Sequence, residues 1–199
     1  MHAQAKIAVF VLKKNGVIIY PTETSYGIGC KISDVESVKR IREIKSDRKK
    51  PFIILVSSKE MAKKYAEIGA DAEKLIDKFK GHLTLIVPKK EKISDKVSEK
   101  NIAFRISSNE IANAIVKELN EPIISTSANL TGEKPIYSFD DAVKILGKKV
   151  DFILDAEKSE EKEASTIYNV KEKKIVRKGK ITIKEIEKAL EEKKWFHSE

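Results

Sequence analysis

A short run of β-branched residues closed by a proline opens the most informative stretch of the chain. Residues 17–20 predict a buried strand, and Pro21 should end it because proline lacks a backbone donor and fixes φ. Residues 22–26 then carry four hydroxyl groups and one carboxylate, and Gly27 and Gly29 let the backbone pass close to another group. A strand that ends in such a turn is a common ligand site in α/β proteins. The alternative is a polar surface turn between two strands.

Two distant stretches combine polar groups with apolar strands in a similar way. Residues 45–55 (Lys-Ser-Asp-Arg-Lys-Lys-Pro-Phe-Ile-Ile-Leu) place cations before an apolar run, and residues 125–132 (Ser-Thr-Ser-Ala-Asn-Leu-Thr-Gly) follow another. Together with Pro-Thr-Glu-Thr-Ser-Tyr-Gly at 21–27, and in this order, they resemble the Sua5/YrdC/YciO family over about residues 5–182. The resemblance implies the family's best-known activity, synthesis of threonylcarbamoyl-AMP from L-threonine, bicarbonate and ATP for the t6A modification of tRNA. The chain resembles in particular the compact YrdC-type members of the family, which lack the further C-terminal domain of the longer members.

The balance of charges indicates an anionic partner. Lys and Arg number 40 against 31 Asp and Glu, and the net charge of +9 favours a nucleotide, a phosphate or RNA. A generally basic proteome is the alternative. Cys30 is the only cysteine, which excludes an internal disulfide and the common cysteine-rich zinc sites, and we expect it in the core. No apolar run reaches membrane-spanning length, so we expect a cytoplasmic protein with no membrane partner.

Hydrophobic spacing and turn signals predict the elements. Helices are expected at 5–14, 33–44, 57–68, 71–79, 110–119, 138–146 and 181–194, and strands at 17–20, 52–56, 83–87, 102–106, 123–126, 152–154, 165–170 and 174–177. Ser33 and Glu36 form a capping-box pattern, and Trp195 and Phe196 should anchor the last helix. Strands and helices alternate without strict βαβ order, which predicts an α/β (α+β-like) fold: one twisted mixed sheet with helices outside. We expect a single YrdC-like domain over residues 1–199 with a concave basic site.

Lys45 and Arg48 are the candidates for the ATP phosphates and the carbonate unit. They come just after a predicted helix, where fixed positive charge suits phosphate or carboxylate. The alternative is a solvated cluster that complements the helix dipole. In the family a Lys-x-Arg segment contacts ATP or carbonate, so the resemblance implies catalytic and ATP-binding roles for both residues. One extra residue separates them here, which makes Lys50 a second candidate for the role of Arg48.

Further nucleotide contacts come from the other motifs. Hydroxyl and amide groups after a buried strand can bind phosphate, ribose or an amino acid, or can simply cap the next element. The Ser-Ala-Asn segment resembles a family motif, which implies that Ser127 and Asn129 contact ATP. Arg177 resembles an arginine of a late strand that faces ATP in the family.

Arg105 is the candidate for recognition of the threonine carboxylate. An arginine after an apolar run is either a surface charge at a strand end or a buried carboxylate clamp. The resemblance implies the clamp, although the proline that usually follows is absent here. It also implies that Thr22, Thr24, Ser125 and Ser165 line the threonine site.

The implied reaction requires no protein nucleophile. Positioning and charge stabilisation suffice when a threonine carbamate attacks the α-phosphate of ATP. Mg²⁺ is expected with ATP, with Glu23 as a candidate contributor and no dedicated protein metal site. The expected partners are ATP, L-threonine, bicarbonate, the proteins that transfer the threonylcarbamoyl group, and tRNA or RNA.

Two other functions remain open from the residues. One is an RNA-binding module without chemistry, which the charge favours but the lack of interleaved basic and aromatic residues disfavours. The other is a YciO-like protein with weak or different activity. The departures at Arg48, and at Leu55 where some members have histidine, keep the second alternative open.

Overall fold

The computed structural model describes residues 3–46, 51–156 and 163–192. The helices in these ranges are α1 (Ala3–Lys13), α2 (Val35–Ile44), α3 (Lys59–Tyr65), α4 (Ala70–Lys78), α5 (Glu110–Leu119), α6 (Phe139–Leu146) and α7 (Ile183–Glu191), with a 3₁₀ turn at Gly147–Lys149. The strands are β1 (Ile18–Pro21), β2 (Tyr26–Gly29), β3 (Ile53–Val56), β4 (Leu83–Pro88), β5 (Asn101–Ile106), β6 (Ile123–Ile124), β7 (Thr126–Ser127), β8 (Phe152–Ile153), β9 (Thr166–Asn169) and β10 (Lys174–Arg177). None of the helices described here has the length and apolar character needed to cross a membrane.

The strands form two sheets, where the sequence predicted one. A four-stranded sheet has the order β7-β2-β1-β8, and a six-stranded sheet has the order β10-β9-β4-β5-β3-β6. The pairs β1–β8, β3–β5 and β4–β9 are parallel, and the other neighbours are antiparallel. The predicted mixed α/β class is therefore confirmed.

The chain passes from one sheet to the other between β6 and β7. β6 pairs with β3 in the larger sheet, and β7 pairs with β2 in the smaller one. Ser125 is the single residue between the two strands, and its backbone N–H donates to the carbonyl of Ile53 at 2.8 Å. The N–H of Ile124 donates to the carbonyl of Cys30, also at 2.8 Å. Backbone hydrogen bonds thus hold both sheets at this crossing.

Helices cover the sheets with apolar faces of the expected periodicity. In α1 the buried residues are Ala5, Ala8, Val9 and Leu12, which follow the i, i+3, i+4, i+7 spacing of one helix face. This helix packs against α5 and β1. Cys30 is fully buried in the core, as predicted.

The first turn of α2 differs from the predicted capping box. Asp34, and not Ser33, is the N-cap residue, and its carboxylate accepts from the N–H of Ser37 at 3.3 Å. Both residue types cap helices well, and the carboxylate also gains from the helix dipole. A complete capping box forms instead at the start of α7, between Thr182 and Glu185.

The sequence predicts no strand at residues 26–29, where the structure has β2. Two glycines weaken the strand signal there, since glycine has no side chain to pack. The strand forms because it pairs with β1, with Pro21 opposite Tyr26 and Ile18 opposite Gly29. A Cβ at Gly29 would lie 2.2 Å from the carbonyl oxygen of Ile124, so only glycine fits this close approach.

The predicted C-terminal helix is present as α7, which packs against α4. Ile186 is fully buried, and the Lys74 ammonium donates to the carbonyl of Leu190 at 3.0 Å. The predicted anchors Trp195 and Phe196 lie outside the described residues.

Ile186→Ala should lower the free energy of unfolding by about 2–5 kcal/mol, because it removes a buried branched side chain and leaves a cavity. Urea denaturation measures this change. Glu187→Ala, at the exposed next position of the same helix, is the matched control and should stay within about 0.5 kcal/mol of wild type. Unchanged stability in Ile186→Ala would contradict a packing role for α7.

Candidate functional site

A pocket of about 190 Å³ opens where the two sheets meet. Its lining comes from the turn between β1 and β2, from β5, from the β6–β7 crossing and from the β9–β10 region. Seven of the predicted site residues line it: Thr22, Thr24, Arg105, Ser125, Ser127, Ser165 and Arg177. The structure thus brings together residues that lie more than 150 positions apart in the sequence.

The turn after β1 is built by the hydroxyl of Thr22. Thr22 Oγ1 donates to the carbonyl of Ser25 at 2.6 Å and accepts from the N–H of Thr24 at 3.3 Å. Hydroxyl groups commonly stabilise turns in this way. Thr22 is therefore committed to the backbone of its own turn, whereas the side chain of Thr24 is half-buried at the pocket.

Ser125 contributes a side chain to the pocket at the crossing between the sheets. Its Oγ accepts a hydrogen bond of 2.8 Å from the hydroxyl of Tyr20, a residue with no exposed surface. Burial raises the pKa of Tyr20, so its hydroxyl stays protonated and serves as a donor.

Arg105 reaches the pocket from β5 and forms a buried ion pair with Glu23. Arg105 Nη1 and Glu23 Oε1 lie 3.0 Å apart, and the two side chains are only 8% and 7% exposed. Ser107 Oγ donates to Glu23 Oε2 at 2.5 Å. The Nε of Arg105 is buried and finds no hydrogen-bond partner among the described residues. Arg105 lines the pocket, so this guanidinium, held in place by Glu23, can present its charge to a carboxylate ligand.

Arg177 closes the pocket on the side of β9 and β10. Its guanidinium donates to the carbonyl oxygen of Ser165 at 2.8 Å and to Ser165 Oγ at 3.1 Å. Ser165 Oγ lies 2.9 Å from Thr84 Oγ1, and both hydroxyls are buried. Desolvation, followed by the positive charge of Arg105, lowers the pKa of Arg177. Both guanidinium groups line the pocket, so both positive charges act on the same region.

Lys45 and Asn129 lie beside the pocket and not in its lining. The Lys45 ammonium donates to the carbonyl oxygens of Ser127 (3.0 Å) and Asn129 (2.9 Å), and also contacts Asn129 Oδ1. Asn129 Oδ1 accepts from Ser127 Oγ at 2.7 Å, while its amide donates to the carbonyl of Glu133 at 2.6 Å. Asn129 thus uses its side chain within the protein. Its predicted contact with ATP remains a prediction.

The two candidates for the second cation, Arg48 and Lys50, lie outside the described residues. Their roles remain predictions. The Lys45 ammonium comes close to the pocket because it binds the chain on both sides of Ala128, immediately after the lining residue Ser127.

Several lining residues were not singled out from the sequence. Pro135 and Tyr137 belong to a segment that folds back on β2, where the N–H of Tyr26 donates to the carbonyl of Ile136 at 2.9 Å. The hydroxyl of Tyr26 bonds to the backbone of Ala156, at 3.0 Å as donor and 3.2 Å as acceptor. A proline and an aromatic residue soon after the Ser-Ala-Asn motif are the only sequence signal that could have found this segment.

The described residues contain no group of three or more His, Cys, Asp or Glu side chains placed to hold a metal ion. Glu23, the candidate contributor to Mg²⁺ binding, is occupied by Arg105 and Ser107. Burial raises the pKa of the Cys30 thiol, which makes this cysteine a core residue and a poor nucleophile.

The fold and the pocket define an α/β protein with a pocket lined by hydroxyl groups and two arginines at the junction of two sheets. The profile of the Sua5/YciO/YrdC family, described as "Telomere recombination", matches residues 10–179. The chain therefore belongs to this family.

Similar proteins agree with this assignment. A protein of Methanocaldococcus jannaschii, provisionally assigned as a threonylcarbamoyl-AMP synthase, is 35% identical over 91% of this chain and 89% of its own length. The structure of P. abyssi Sua5 complexed with L-threonine has a TM-score of 0.87 at 30% identity, and the match covers 94% of this chain and 57% of that one. The chain thus spans little more than half of P. abyssi Sua5. The E. coli YciO structure has a TM-score of 0.84 at 26% identity and 92% coverage of both chains.

Proposed function

We propose that this protein joins L-threonine, bicarbonate and ATP to form threonylcarbamoyl-AMP and pyrophosphate. The observation that carries the proposal is the composition of the pocket: two arginines stand among nine hydroxyl-bearing side chains, and its described lining contains no acidic residue, cysteine or histidine. Such a site suits an anionic substrate and a reaction without a protein nucleophile. The activity in the provisional name of the M. jannaschii relative agrees with this reaction, and the complex of P. abyssi Sua5 with L-threonine supports threonine as a substrate.

Arg105 would hold the threonine carboxylate. Its charge is kept in a fixed position by Glu23, and its side chain lines the pocket. Ser125 and Thr24, both in the lining, supply short polar groups for the rest of the amino acid. A buried arginine fork recognises a carboxylate with defined geometry, which fixes the position of the amine.

The chemistry then follows from placing the reactants. The neutral threonine amine forms an N–C bond to the carbon of bicarbonate, and water leaves to give a carbamate. A carbamate oxygen forms a bond to the α-phosphorus of ATP, while the bond to the pyrophosphate oxygen breaks. Carbamate and phosphate are both anionic, so Arg177 and Lys45 would lower the repulsion between them.

Mg²⁺ belongs to the proposal as a companion of ATP and would neutralise phosphate charge. Glu23 is committed to Arg105, so the phosphates and not this carboxylate would hold the ion. We also propose a cytoplasmic location, transfer of the product to threonylcarbamoyl-transfer proteins, and contact with tRNA through the basic surface.

The experiment is a pyrophosphate-release assay with the purified chain and ATP. Release should require both L-threonine and bicarbonate, and omission of either should reduce it to background. Threonylcarbamoyl-AMP should appear in equal amount by mass spectrometry. L-valine, which has a methyl group in place of the threonine hydroxyl, is the matched control substrate and should give much slower release.

A YciO-like protein with a different activity is the second candidate, because the match to E. coli YciO covers 92% of both chains. Pyrophosphate release that does not depend on threonine, or no release by a protein that binds ATP, would favour it over the synthase.

A further inference from the structure

Tyr20 has no assigned role in the proposed reaction, yet it contacts a residue of the pocket. Its ring is fully buried, and its hydroxyl donates to Ser125 Oγ at 2.8 Å. The plain interpretation is a core tyrosine that satisfies its one polar atom. The direction of this hydrogen bond also determines whether Ser125 can donate to a ligand.

A buried phenol must donate its proton to a nearby acceptor, because no water can reach it. Among the described residues Ser125 Oγ is the acceptor that Tyr20 has. Ser125 lines the pocket, so it can direct its own proton to a ligand. The opposite arrangement, with Ser125 as the donor, would leave the Tyr20 proton without an acceptor in the interior.

The two glycines of β2 lie beside the Tyr20 ring. A Cβ at Gly29 would come within 3.2 Å of Tyr20 Cε1, closer than an ordinary van der Waals contact, so a side chain there would press on the ring. A Cβ at Gly27 would make only ordinary contacts with the ring, at 3.4 Å from its Cζ and 3.5 Å from its hydroxyl. Gly29 therefore leaves the space that the Tyr20 ring needs.

We propose that Tyr20 is a positioning residue that sets Ser125 as a hydrogen-bond donor toward the pocket. The ligand group that meets Ser125 must then be an acceptor, such as a carboxylate, carbonyl or hydroxyl oxygen, and not an ammonium group. This inference rests on the proposed function, since it takes L-threonine as the ligand.

The test is a double-mutant cycle with Tyr20→Phe, Ser125→Ala and the double variant, using L-threonine binding by calorimetry. Tyr20→Phe removes only the hydroxyl, and loss of one hydrogen bond should weaken L-threonine binding by about 10-fold. In the Ser125→Ala background the same change should have less than about a 2-fold effect, because Tyr20 acts through Ser125. ATP affinity should stay within about 3-fold of wild type.

Tyr168→Phe is the matched control, because Tyr168 is buried on β9 but does not line the pocket. It should leave L-threonine binding unchanged. If Tyr20→Phe unfolds, Ser125→Ala with Tyr20 intact must still show the loss of L-threonine affinity, or the inference is wrong. Wild-type affinity in Tyr20→Phe, or losses that multiply in the double variant, would overturn the inference alone. Absence of L-threonine binding in the wild-type chain would instead overturn the proposed function, and this inference with it.

Discussion

Arg105→Ala should weaken L-threonine binding by roughly 2–5 kcal/mol while ATP binding changes far less. The reason is that the alanine variant removes the positive charge that we propose binds the threonine carboxylate. This charge is buried, since the Arg105 side chain is only 8% exposed. Isothermal calorimetry with each ligand separately measures the two affinities. Because the proposed reaction needs the amino acid in place, threonine-dependent pyrophosphate release should fall as well.

The ion pair with Glu23 makes a control essential. Arg105→Ala leaves the Glu23 carboxylate buried without its partner, and breaking a buried pair in this way typically destabilises a protein by roughly 3–5 kcal/mol. The double variant Arg105→Ala/Glu23→Gln removes both charges and should recover much of that stability. It should not recover L-threonine affinity. Equal losses of threonine and ATP affinity in the single variant, both restored in the double variant, would show a folding defect and contradict the clamp.

Where a motif pointed directly to a ligand, the residues singled out from the sequence lie together in the structure, while their roles stay predictions. The hydroxyl-rich turn at 22–26, Arg105 and the serines after β6 all meet in one pocket, although they come from different sheets. Their residue types are the ones that an anionic ligand would require, so they could be singled out without knowledge of tertiary structure. The ion pair of Glu23 with Arg105 was not visible in the sequence, because the two residues lie 82 positions apart and only the fold brings them together. A contribution of Glu23 to Mg²⁺ binding stays a prediction.

The remaining differences have a common physical origin in long-range contacts. β2 is a strand because β1 and β7 supply its partners, although its own glycines weaken the signal. The split into two sheets depends on the crossing at Ser125, which no local pattern reveals. Tyr20 looks like an ordinary core residue in the sequence, and its contact with Ser125 spans 105 positions.

Lys45→Ala should reduce turnover by roughly 10²–10³-fold, by analogy with the loss of a donor that stabilises a transition state. The ammonium lies 3.0 Å from the Ser127 carbonyl oxygen and 2.9 Å from that of Asn129, so it shapes the loop after β7. Its removal should therefore act in two ways: it removes positive charge near the reacting anions and it loosens this loop. The helix α2 should persist, because Lys45 follows the apolar face formed by Val38, Ile41 and Ile44.

The two effects of Lys45 can be separated by measuring them in different variants. Hydrogen exchange at residues 126–130 reports the loop, and threonine-dependent pyrophosphate release reports the reaction. Asn129→Ala removes one of the groups that Lys45 contacts but keeps its charge, so it should raise exchange in the loop and reduce turnover much less than Lys45→Ala. Arg48→Ala, tested in parallel, should also reduce turnover if the second cation serves the phosphates. A dispensable Arg48 would direct the next test to Lys50.

Near-wild-type pyrophosphate release by Lys45→Ala, together with weakened tRNA binding, would contradict the catalytic role of Lys45 and favour RNA binding by this cluster. The reason is that a cation that stabilises the reacting anions cannot be lost without slowing the reaction.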